Sequence, residues 1–194
     1  MLNLRKCGHK DLERYYSLLE MDFAKEEIIS KLSLHRALLN GSAELLVVYD
    51  EESSLEVAYA LVLTKNLYGY VLLKYIAVLP WYRGKGVGVA AMRLINKRYA
   101  DRQGIIAELT SFEDEDGSMI KGLRKFFARF GYVVVDSDYR IGGAPVELMV
   151  KPIKGTFEIE PVEHRIIRDF YTRILNPFAM DKMIDIRPVR KPEE

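Results

Sequence analysis

Residues Ile76 to Met92 read IAVLPWYRGKGVGVAAM. An apolar run meets Pro80, passes through a basic, glycine-dense turn and enters a segment with helical spacing. Gly84, Gly86 and Gly88 stand within five residues of one another. Glycine costs backbone order, so a cluster of them implies a need for positive φ or for close approach of a ligand. A helix N-terminus adds unpaired N–H groups and the positive end of the peptide dipole. Arg83 and Lys85 add formal charge at the same place. The stretch therefore predicts a phosphate cradle feeding a helix over 87–101.

Outward from this turn, YVLLKYIAVL (70–79) reads as the strand that precedes it and GIIAELTSF (104–112) as the strand that follows the helix. Upstream, residues 2–6 suggest a short strand, and 11–19 and 26–39 carry apolar residues three and four apart, as helices do. AELLVVYD (43–50) and LEVAYALVL (55–63) predict a hairpin. Downstream come a basic amphipathic helix over 118–130 ended by Gly131, then strands 132–139 and 144–152 joined across Gly142-Gly143. Pro161 opens a helix over 162–175, Asn176-Pro177 stops it, and the remaining polar tail reads as unstructured. Antiparallel strands flank one parallel crossover, which predicts an α+β fold.

The chain has 194 residues, 49% of them apolar, enough for one packed domain. Its 29 Lys+Arg and 28 Asp+Glu leave a net charge of +1, so no overall field favours nucleic acid or an anionic membrane. The single cysteine, Cys7, excludes an internal disulfide framework and fits a reducing compartment. No run approaches the length of a membrane span, so a cytoplasmic protein is expected. His9, His35 and His164 are scattered and no metal-ligand spacing occurs, so no metal is expected.

Three nucleotide motifs compete for the turn. A phosphate-binding loop of the GxxxxGK[ST] type is excluded, because Gly86 follows Lys85. Gly86 to Ala91 satisfies the dinucleotide pattern G-x-G-x-x-[GA], with Glu108 at the spacing of a ribose-binding acid. Against it, residues 80–85 separate the strand from Gly86, and too few βαβ units follow to complete a doubly wound sheet. The third reading fits best. RGKGVG (83–88) resembles the [QR]-x-x-G-x-[GA] signature of the GNAT acyltransferase superfamily, and FFARFGY (126–132) resembles a second segment of that family.

The resemblance covers roughly residues 1–151. It implies a GNAT-like, mostly antiparallel mixed sheet with helices on both faces, forming a domain over 1–152, and an extension over 153–194 with an extra helix. It implies acetyl-CoA as co-substrate, with diphosphate held by backbone N–H groups of Arg83, Gly84, Lys85, Gly86, Val87 and Gly88. It implies pantetheine paired with the backbone edge at Ile76 and Val78, beside Ala77, with Phe127 packed against it. The implied reaction is direct acetyl transfer to a small-molecule or peptide amine. A non-catalytic acyl-CoA sensor is the alternative.

The sequence departs from the family where the chemistry is done. The family's early strand glutamate falls near Leu72, so Glu108 stands as the candidate base or substrate anchor, or else as a strand residue paired with a lysine. The family tyrosine aligns with Phe127, which has no proton to give, leaving Tyr132 and Tyr139 as candidate acids. The acidic run Glu113 to Asp116 reads as a solvated loop or as a steering site for a cationic acceptor. The C-terminal helix reads as a cap on the acceptor cleft or a homodimer contact.

Overall fold

Runs of β-branched and aromatic residues, buried on both faces, organise the chain around one large sheet. The computed structural model describes residues 1–110, 117–135, 137–155 and 162–187. Strands β1 (Leu2–Cys7), β2 (Ala43–Asp50), β3 (Glu56–Leu63) and β4 (Tyr70–Val78) pair antiparallel in that order. β5 (Gly104–Thr110) then joins β4 in parallel. β8 (Ala144–Pro152) pairs antiparallel with β5, and β6 (Val133–Val135), β7 (Asp138–Ile141) and β9 (Ile184–Arg187) complete the far side. The crossover from β4 to β5 carries α3 (Val87–Arg98). This is the expected α+β arrangement, a mostly antiparallel mixed sheet covered on both faces.

One face packs against α1 (Leu12–Asp22), α2 (Lys31–Leu39), α5 (Val162–Thr172) and α6 (Pro177–Met183), with Leu19, Leu34, Leu72, Tyr75, Phe170 and Tyr171 in a single core. The opposite face packs against α3 and α4 (Ser118–Ala128), with Leu73, Met92, Ile95, Phe127 and Tyr132 at its centre. No helix among the described residues is long and apolar enough to cross a membrane.

Three expectations change. The helix expected over 26–39 divides into a 3-10 turn at Lys25–Glu27 and α2, because Ile28 to Ser30 are extended and the Ser30 hydroxyl caps α2 by accepting the Ser33 N–H at 3.3 Å. The strand expected over 132–139 is two short strands, β6 on the inner side of β8 and β7 at the outer hairpin, so the chain changes partner between them. The tail expected to be unstructured contains the end of α6 and all of β9 in its described part. Asn176 accepts the Ala179 N–H at 2.8 Å, so Asn176-Pro177 stops α5 and also starts α6. β9 then closes the open edge of β7. The acidic run 113–116 and residues 188–194 lie outside the described residues.

Candidate functional site

The site begins with a fault in the β3–β4 register. Leu61 faces Tyr75 and Val62 faces Leu73, so Lys74 has no partner across the strand. Such a bulge bends its strand and re-aims the side chain. Here Lys74 stays on the face of Leu72 and the bulge brings Tyr75 to that same face, and β4 leaves β5 at that point. The parallel pairing runs only from Tyr70↔Gly104 to Leu73↔Ala107. Beyond it the two strands splay, opening a cleft of about 320 Å³ lined by Phe23, Glu27, Ile76, Val78, Glu108 and Phe127, among others.

The open edge of β4 can be assigned. The Leu79 N–H donates to Val57 O on β3 at 2.9 Å. Because main-chain groups alternate sides along a strand, Ala77 turns its N–H and C=O to β3. Ile76 and Val78 therefore turn theirs into the cleft. The Val78 carbonyl already accepts the Arg83 Nε–H at 2.9 Å, while the Arg83 Nη2 reaches Asp22 Oδ1 at 2.7 Å. Arg83 thus ties the glycine turn to the end of α1.

The glycine turn has the backbone that its composition implies. Gly84 and Gly86 sit at φ +74° and +77°, and a Cβ on either would meet open space, so conformation rather than crowding demands glycine there. Gly88 has no such φ, and a Cβ would make ordinary contact with Val78 and Phe126. Gly86 caps α3, whose first main-chain bond is Ala90 N–H to Gly86 O at 3.2 Å. The N–H groups ahead of it lie at the positive end of the helix. Lys85 rests over the Tyr82 ring, 5.9 Å from its centre. These features fit a diphosphate: backbone donors, no Cβ in the way and local positive charge.

At the inner end of the cleft Glu108 is held from every side. Its Oε2 accepts from Lys74 Nζ at 2.8 Å, and its Oε1 from the Tyr139 hydroxyl at 2.8 Å. The Tyr171 hydroxyl reaches both oxygens, at 3.0 and 2.8 Å. The Lys74 and Glu108 side chains are each 1% exposed. Burial, reinforced by the Glu108 charge, pushes the Tyr139 and Tyr171 hydroxyls well above the ordinary tyrosine range, so they are firm donors.

The structure therefore brings Glu108 and Tyr139 together and separates Tyr132 from both. Tyr132 lies on the opposite face of the sheet, beside Phe127, and donates to Asn96 Oδ1 on α3 at 3.1 Å. Its odd spacing from Tyr139 already puts the two on opposite faces of a strand. Phe127 lines the cleft. Lys74, Tyr171, Glu27, Thr110 and Asp22 escaped the sequence reading as a group. A bulge, a C-terminal helix and a 3-10 turn carry most of them, and none of these announces itself by periodicity.

The outer wall carries two further carboxylates. Asp22 accepts from Arg83 and, at 2.8 Å, from the Tyr59 hydroxyl. Glu27 accepts the Ala24 N–H at 3.1 Å on Oε1 and the Thr110 hydroxyl at 2.6 Å on Oε2. Among the described residues no group of three or more His, Cys, Asp or Glu side chains could hold a metal ion.

The family description "Acetyltransferase (GNAT) domain" matches residues 41–134. Among solved structures the chain resembles a GNAT-family protein from Bacteroides thetaiotaomicron at TM-score 0.69 and 18% identity, over 88% of this chain and 96% of that one. It resembles NAA60 of Arabidopsis thaliana, solved with acetyl-CoA, at TM-score 0.60 and 15% identity, over 80% of this chain and 100% of that one. It also resembles spermidine N-acetyltransferase from Vibrio cholerae, solved as a dodecamer, at TM-score 0.59 and 14% identity, over 82% and 98% of the two chains. No curated protein matches by sequence.

Proposed function

We propose, from the match of residues 41–134 to a GNAT acetyltransferase domain, that this chain is an acetyl-CoA-dependent N-acetyltransferase acting on a primary amine. The observation that carries the proposal is the splay of β4 from β5 beside the turn at Gly84 and Gly86. It offers an extended ligand a strand edge to pair with and its diphosphate a helix N-terminus to rest on.

Each part of the chain then has a task. The N–H groups between Arg83 and Gly88 hold the diphosphate, with Lys85 adding charge. The main-chain groups of Ile76 and the Val78 N–H pair with the pantetheine amides, Ala77 lies beside them, and Phe127 supplies an apolar wall. Bound acetyl-CoA supplies an acyl thioester, which a neutral amine can attack. The cleft holds both reactants together, and that proximity provides much of the acceleration. Lys74, Glu108, Tyr139 and Tyr171 act as a rigid floor rather than as free acid or base, since every Glu108 oxygen is engaged. This is the paired-lysine reading of Glu108.

An acyl-CoA sensor remains the second reading, favoured by Phe127, which has no proton for a departing thiolate. Calorimetry with acetyl-CoA and a thiol-release assay against a panel of amines separate the two. Binding with amine-dependent release is the expected result. Binding without release favours the sensor, and an absence of binding refutes both.

A further inference from the structure

Of the three carboxylates on the cleft wall among the described residues, two already hold a cation. Asp22 is bound to Arg83, and Glu108 to Lys74. Glu27 has only an amide N–H and a hydroxyl as partners among the described residues. A carboxylate oxygen has two lone pairs, so each oxygen of Glu27 keeps one in reserve. Only about 7% of the residue is exposed, and its side chain lines the cleft.

Glu27 also bridges the two arms of the splay. Its carbonyl accepts the Tyr75 hydroxyl of β4 at 2.8 Å, and its carboxylate accepts the Thr110 hydroxyl of β5 at 2.6 Å. Tyr75 is held in turn by the Ile29 N–H at 2.9 Å. The turn bearing Glu27 is pressed from outside by the β7–β8 hairpin. A Cβ on Gly142 would lie 2.7 Å from both Glu26 O and Glu26 Cβ. The carboxylate is thus locked in place across the gap where β4 and β5 separate.

We propose that Glu27 accepts the proton of the attacking amine, an inference that rests on the transferase reading above. The amine lone pair forms the bond to the thioester carbonyl carbon, the carbon–sulfur bond breaks and its electron pair leaves on sulfur. The proton lost from nitrogen passes to a free lone pair of the Glu27 carboxylate, directly or through one water. With no cation beside it among the described residues, the part-buried carboxylate attracts the positive charge that nitrogen gains as the new bond forms, and takes its proton.

The test is Glu27→Gln, which keeps the size of the side chain and can still bond Ala24 and Thr110. Acetyl-CoA affinity by calorimetry and the melting midpoint should match the wild type. At neutral pH kcat/KM should fall by about 100-fold or more. The deficit should narrow at alkaline pH, where hydroxide can take that proton in place of Glu27. Should the glutamine variant fail to fold, Thr110→Val gives a second reading. The hydroxyl that fixes the Glu27 carboxylate is then lost, so kcat should fall while acetyl-CoA affinity by calorimetry stays at the wild-type value. A wild-type rate in Glu27→Gln, a deficit constant across pH, or a wild-type kcat in Thr110→Val overturns the assignment. A wild-type chain that releases thiol with no amine instead overturns the transferase reading, and this one with it.

Discussion

Replacing Glu108 by glutamine should destabilise the fold by about 3–5 kcal/mol, the usual cost of removing one partner from a buried ion pair. The figure follows from what remains around Lys74. Its ammonium, 1% exposed, would be left with the ring faces of Tyr75 and Tyr171, whose centres are 5.2 and 5.7 Å away. Lys74→Met should cost less, about 1.5–3 kcal/mol for one charge-assisted hydrogen bond. The carboxylate it strands keeps the hydroxyls of Tyr139 and Tyr171. The double variant should therefore be more stable than the two single losses predict, with a coupling of about 1–3 kcal/mol. Urea unfolding of all four proteins measures this, provided the slopes agree. A loss below about 1 kcal/mol in Glu108→Gln, or strict additivity, would refute the account of the cleft floor as a mutually dependent pair.

Gly86→Ala places a side chain at φ +77°, so it should cost about 1–2 kcal/mol and lower acetyl-CoA affinity in a calorimetric titration. Gly88→Ala, in ordinary contact only, should leave the fold intact. Tyr132→Phe should lose about 1 kcal/mol in a thermal melt, from the bond to Asn96, with the rate of thiol release unchanged. Burial pushes the Glu44 carboxyl up, but hydrogen bonds from Tyr99, Lys6 and Arg98 outweigh this and hold it below the usual carboxylate range. That contribution is complete above the unfolded value near 4.3 and disappears as pH falls through the lower folded value. Stability measured from pH 6 to about 2 should therefore fall less steeply in Glu44→Gln than in the wild type.

Some of this architecture was legible in the residues alone. Periodicity distinguishes strands from helices, and glycines interleaved with Arg83 and Lys85 at a strand-to-helix junction announce an anion cradle, because both signals are local. The strand edge at Ile76 and Val78 is implied only by the family resemblance of the same stretch. What the sequence could not express is which side chains meet. Strand alternation alone puts Tyr132 and Tyr139 on opposite faces, but only packing decides that one donates to Asn96 and the other to Glu108. Tyr75 shares a face with Lys74, the partner of Glu108, only because a bulge interrupts the alternation of β4. Tyr171 reaches the same carboxylate from a helix 63 residues further along. Glu27 reaches the cleft through a 3-10 turn inside what reads as one helix. Local backbone preference is written in neighbouring residues, whereas the convergence of a turn, two strands and a C-terminal helix on one cleft depends on register and packing over the whole chain, and only the tertiary structure decides it.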